Sequence, residues 1–162
     1  MDVSTFYALF SATCFTLVGL WWNVVSVRPA WMTDRDRRRA VGGIYLAFLL
    51  PALMGLFAQV GGTAHPQVWR ASFVSFAVVG ALATLSLLSR SGDRSVVPLR
   101  VATGLVYVLV AVVGVRPEEA ADAMDLRPIE VEALLLILLV ALGHAIAWRF
   151  MTENAAVEKE DA

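Results

Sequence analysis

Cysteine and histidine are nearly absent from this chain: Cys14 stands alone, and the histidines are His65 and His144. A single cysteine cannot close an intramolecular disulfide. One cysteine and two histidines, expected at opposite ends of the helices that carry them, supply neither a tetrahedral zinc site nor paired haem ligands within one chain. No metal and no cofactor is therefore expected. Lysine is as scarce, with Lys159 alone beside twelve arginines. The chain also has no Walker loop, no Gly-x-Ser-x-Gly elbow and no His-Glu-x-x-His pair, so the common sequence signatures of an enzyme are missing and none is expected.

What the chain has in excess is apolar surface. With 59% apolar residues and a mean hydropathy of +0.70 over 162 residues, it carries more than a soluble domain of that size can bury, so a lipid bilayer is the implied solvent and first partner. Five apolar runs, roughly 6–27, 41–60, 71–88, 99–115 and 129–150, each reach about 26–33 Å as a helix, close to the ~30 Å hydrocarbon core. They lack the alternation of a barrel strand. The expected fold is an all-α integral membrane protein. Residues 1–151 form a bundle of five transmembrane helices at about 4–27, 34–60, 68–89, 98–115 and 128–150, followed by a disordered cytoplasmic tail over 152–162. Met1-Asp2-Val3-Ser4-Thr5 lacks the positive start of a secretory signal, so the first run is expected to be kept as a helix.

Arginine sets the orientation. Arg35, Arg37, Arg38 and Arg39 crowd between the first two runs. Placing that loop in the cytoplasm puts Arg28, Arg90, Arg94, Arg100, Arg149 and Lys159 inside with it, and leaves Arg70, Arg116 and Arg127 outside. The positive-inside rule then gives an outside N-terminus and an inside C-terminus in the cell (plasma or inner) membrane. Basic residues beside a span imply no nucleic-acid partner.

Local signals mark the helix ends. Thr33-Asp34-Arg35-Asp36 resembles a capping box for the second long helix. Residues 61–66 read as a turn, 89–95 as a compact polar loop before Pro98, and 117–124 as a short surface helix. Glu130 and Glu132 follow Pro128 and read as helix-start acids that favour the dipole.

Function has to be sought on helix faces. Thr5, Ala12, Thr16, Gly19, Asn23 and Ser26 recur at helical spacing in the first run, so that side is expected to meet protein or water rather than lipid. Asn23 carries the most weight there, because an amide without a partner in hydrocarbon is costly. Thr16, Asn23, Ser26 and His144 are the candidates for interhelical contacts or a polar path, with His144 placed to hydrogen-bond Asn23 or Thr16. Trp21 and Trp22 read as interfacial anchors. Gly43, Ala47, Pro51 and Gly55 repeat every four residues, which predicts close helix approach and a kink at Pro51.

The leading functional expectation is a small non-enzymatic accessory, scaffolding or regulatory subunit that packs against itself or a larger membrane complex. The alternative is a homo-oligomeric channel or small passive transporter with the polar first-helix face along its path. A remote alternative is an intramembrane enzyme using His144; Glu132 lies twelve residues from it on one helix, about 18 Å, too far for a direct acid–base pair.

Overall fold

The computed structural model describes residues 2–61, 65–88, 96–119 and 125–160, with side chains through residue 153. All regular structure among them is helical: α1 (Val3–Ser26), α2 (Ala30–Thr33), α3 (Arg35–Gly61), α4 (Pro66–Leu88), α5 (Val97–Val115) and α6 (Pro128–Glu160). Among the described residues five helices, all but α2, are long and apolar enough to cross a membrane. Residues 62–64 of the turn at 61–66, all of the loop at 89–95 and residues 120–124 of the expected surface helix lie outside the described residues, whereas 117–119 are helical.

Helix ends follow from local chemistry. The start of α3 is capped by Asp34, whose Oδ1 accepts hydrogen bonds from the backbone N–H groups of Asp36 (3.1 Å) and Arg37 (2.8 Å). Thr33, expected in that role, instead bonds back to the Ala30 carbonyl within α2. Asp36, expected to close the box, pairs with Arg39 at 3.2 Å. Pro98 sits in the first turn of α5, where its missing N–H costs nothing. Arg70 caps the other end of α5 from α4, donating to the carbonyls of Gly114 (2.9 Å) and Val115 (3.2 Å), a cation where helix carbonyls are left over. Glu130 closes the start of α6 by accepting from the Arg127 backbone N–H and guanidinium at 2.9 and 2.7 Å. That pair raises the Arg127 guanidinium further above its usual range, chiefly through the hydrogen bond. The far end of α6 runs to Glu160 instead of stopping near 150. Ala, Glu and Lys dominate 153–160, and these are good helix formers whatever their polarity.

Packing places α3 at the centre, in contact with α1, α4 and α6, while α5 fills the gap between α4 and α6. Consecutive long helices run antiparallel, as the pairs Gly55 with Ser11, Gly61 with Trp69, Gly80 with Tyr107 and Gly114 with Glu132 require. One core cluster gathers Tyr7, Met54, Phe73, Tyr107 and Leu136. The other gathers Trp21, Trp31, Ile44 and Phe48 at the end that carries Arg35 to Arg39.

The predicted small-residue stripe of α3 serves three neighbours in turn. A Cβ at Gly43 would lie 2.6 Å from Leu87 of α4. A Cβ at Gly143 of α6 would lie 3.2 Å from Ala47, and a Cβ at Gly55 would occupy the place of Ser11 Oγ on α1. Pro51 is buried within an uninterrupted α3.

Candidate functional site

The side of α1 turned into the bundle is not the one its small and polar residues marked. Tyr7, Ser11, Cys14, Trp21 and Val25 are buried, whereas Thr5, Ala12, Thr16, Gly19, Asn23 and Ser26 all face outward. The hydroxyls on that outer face need no neighbour, since Thr16 donates to the Ala12 carbonyl (2.9 Å) and Ser26 to that of Asn23 (2.7 Å). Asn23 differs, because its amide makes no hydrogen bond to another described residue and no backbone group of its own helix takes it up. A Cβ at Gly19 would meet nothing within 4 Å.

His144 does not join this face. Its Nδ1 lies 2.9 Å from the Val140 carbonyl one turn earlier, and its ring stands edge-on to Phe48 with centroids 5.0 Å apart. The expected bond to Asn23 or Thr16 is absent because the ring is satisfied within α6 and against α3.

Two aromatic residues at the basic end take unexpected places. Trp21 is buried rather than anchored at an interface, and its indole donates to the Val41 carbonyl at 3.1 Å. Trp22 points outward, 54% exposed. The tryptophan of α2, Trp31, tucks under the bundle against Trp21 (6.3 Å) and edge-on to Phe150 (4.9 Å). Nothing in the linker between the two apolar runs marked Trp31 as core, beyond its size.

Glu132 is the largest departure from the sequence reading. It is fully buried, and neither carboxyl oxygen has a hydrogen-bond partner. The Tyr7 hydroxyl of α1 is committed to the Ile129 carbonyl at 2.7 Å. The carboxyl lies beside Gly114, where a Cβ would be in ordinary contact with Oε1 at 3.8 Å and would press on Val74 at 2.7 Å. Glu130, two residues earlier, faces Arg127 and behaves as the expected helix-start acid. The difference is one of helix phase: Glu132 shares the inward face of Leu136 and Leu139, at spacings of four and seven.

Beyond these residues the bundle holds a cavity of about 340 Å³ between α3, α4, α5 and α6, at the end carrying Arg35 to Arg39. Its walls are apolar, with Ile44, Leu46 and Leu50 from α3 facing Ala83 and Leu87 of α4, and Tyr107 reaches it from α5. Tyr107 lies directly on Gly80, where any side chain would strike its ring, so glycine at 80 lets the ring lie flat against α4. Four charged residues, Asp36, Arg37, Arg100 and Glu153, stand at the mouth. A shallower groove of about 530 Å³ runs along α3 and α4 and shares Gly43, Leu46, Ala83 and Leu87 with the cavity. The interior is apolar, and its charged groups are gathered at one end. Among the described residues no three metal-ligating side chains come together.

Neither known protein families, nor curated proteins, nor solved structures offer a match to this chain.

Proposed function

We propose that this is a multi-pass protein of the cell membrane, with its N-terminus outside and the Arg35–Arg39 end in the cytoplasm. It acts as a non-enzymatic accessory subunit that docks through the outer face of α1 onto a second copy of itself or a larger membrane complex. The observation that carries the reading is the position of Gly19 and Asn23. They lie on a face of small and polar side chains that the chain itself leaves uncovered. In lipid, close contact through glycine, alanine and threonine is how helices associate, and an amide gains from a partner across the contact. A pore along this face would need several copies around it, because α1 contributes nothing to the cavity of the single chain.

Gly19→Leu separates docking from folding. Gly19 is exposed and a Cβ there would meet nothing within 4 Å, so the thermal midpoint of the purified protein should stay unchanged while the assembly seen on native gels from gently solubilised membranes is lost. A wild-type protein that runs as a lone monomer in native lipid, or a variant that keeps the wild-type assembly, overturns the docking role.

A further inference from the structure

We infer that the cavity between α3 and α6 is a binding site for a small, uncharged, lipid-soluble carbonyl compound whose oxygen accepts a hydrogen bond from Tyr107. The Tyr107 hydroxyl is the observation that carries this. The residue is buried, 2% exposed, and among the described residues its hydroxyl has no hydrogen-bond partner. A buried tyrosine hydroxyl ordinarily finds a partner, and leaving its donor unmatched is costly. Unlike the oxygens of Ser11 and Glu132, this one is not closed off by packing, so a space adjoins it. That space is the cavity. The tip of the ring, Cε1 and Cζ, rests on Gly80, which lines the cavity but not the outer groove that Tyr107 also touches. A side chain on α5 also leans toward the start of its helix, where Arg100 and Thr103 line the same cavity.

The remaining inner polar groups are already used. Thr84 donates to the Gly80 carbonyl at 2.8 Å and Thr103 to the Leu99 carbonyl at 2.9 Å, each within its own helix. Below the mouth, one side-chain donor therefore faces apolar walls. A carbonyl oxygen answers it without bringing in a donor of its own, whereas an ion would lose its hydration with no opposite charge beside it. Charge at the mouth plays no part in the choice. Asp36 and Glu153 equal Arg37 and Arg100 in number, Arg39 of the groove outside pairs with Asp36, and Arg100 branches from α5 about 10 Å nearer the mouth than Tyr107. The volume, about 340 Å³, is near the lower end of the ~300–1,000 Å³ of small-molecule pockets. The route in is lateral. Gly43 and Ala83 belong to the wall shared with the groove along α3 and α4, and side chains that small leave it thin enough for a molecule dissolved in the bilayer to pass.

This inference goes beyond the accessory role above and uses neither the docking face nor the orientation. It is tested on the full-length protein in detergent, by native mass spectrometry, thermal protection and ligand fluorescence. The probe is a dimethylaminonaphthalene bearing a propanoyl group, a flat ketone whose emission moves to the red when its carbonyl accepts a hydrogen bond. Its comparisons are the same frame with a propyl group in place of propanoyl, dodecanoate, and dodecyltrimethylammonium. The ketone should bind about fivefold more tightly than the propyl compound, the effect of one hydrogen bond, and more tightly than either ion. Tyr107→Phe keeps the ring on Gly80 and removes only the hydroxyl. It should weaken the ketone about fivefold, move its bound emission to the blue and leave the propyl compound unchanged. Ala83→Phe, which fills the shared wall, should remove binding of both. Gly19→Leu should bind as the wild type does, so loss of assembly and loss of ligand are separate readouts. Equal affinity for the ketone and the propyl compound overturns the proposal. So does undiminished ketone binding by Tyr107→Phe, tighter binding of either ion, or undiminished binding by a folded Ala83→Phe protein. Should that last variant not fold, the Tyr107→Phe result decides alone.

Discussion

At the scale of single residues, Glu132 is a buried acid whose carboxyl oxygens have no hydrogen-bond partner among the described residues. A buried polar group without a hydrogen bond costs ~1–3 kcal/mol, and an acidic side chain within an apolar helix is a functional candidate for that reason. If the carboxyl is a burden on the fold, Glu132→Leu, which keeps the bulk and removes both orphan oxygens, should raise stability by about 1–3 kcal/mol in chemical or thermal unfolding. Glu132→Gln keeps a polar group in the same place and should gain far less. A Glu132→Leu protein less stable than wild type would show that the carboxyl is held by something that supports the fold. Sequence position hid this residue, because an acid four residues after Pro128 reads as part of a helix start, and Glu130 does have that role. The phase with Leu136 and Leu139 separates the two, but every position from 133 to 142 is apolar, so only the packing shows which face turns inward.

At the scale of elements, the positions of the long helices were legible and their faces were not. Uninterrupted apolar runs bounded by Arg, Pro and Gly fix where a helix crosses an apolar layer, and the five long helices cover the five runs. Which side of α1 turns inward is a different question, because both sides are largely apolar and a hydroxyl bonded to its own helix can face anywhere. Tyr7, Trp21 and Val25 pack inward while Trp22 and Leu20 point outward, so size does not mark the inner face, and Thr16 satisfies itself. The regular spacing on α3 was a better guide, since glycine matters wherever backbones approach. At Gly55 the approach is close enough for a direct test. Gly55→Leu should cost at least ~1–3 kcal/mol, the usual effect of overpacking, and disturb the pairing of α1 with α3. The smaller change Gly55→Ala should be destabilising alone and much better tolerated with Ser11→Ala, because Ser11 Oγ occupies the place of the new methyl. Ser11→Ala by itself should be neutral or stabilising, as that hydroxyl is buried without a partner. Additive effects in the double-mutant cycle would show that the two helices do not meet there.

At the scale of the whole molecule, the antiparallel path of the helices turns scattered arginines into a single asymmetry. Because α3 begins, α5 begins and α6 ends on the same side of the bundle, Arg35, Arg37, Arg38, Arg39, Arg100 and Arg149 are gathered at one end. Arg70, Arg116 and Arg127 lie at the other. Two of those three are engaged there with acids three residues away, Arg116 with Glu119 and Arg127 with Glu130, and the third caps α5. Insertion is biased by basic residues next to the spans and hardly by acids, so local pairing does not offset the count. The basic end should therefore face the cytoplasm. In a Cys14→Ser background, Glu119→Cys should react with a membrane-impermeant thiol reagent added to intact cells, and Thr152→Cys should react only after the cells are opened. Both positions are exposed in the fold, so failure to label reflects the membrane and not burial. The reverse pattern would overturn the orientation while leaving the bundle intact, and labelling of both in intact cells would break the five-span crossing itself, since an odd number of spans must put the two sites on opposite sides.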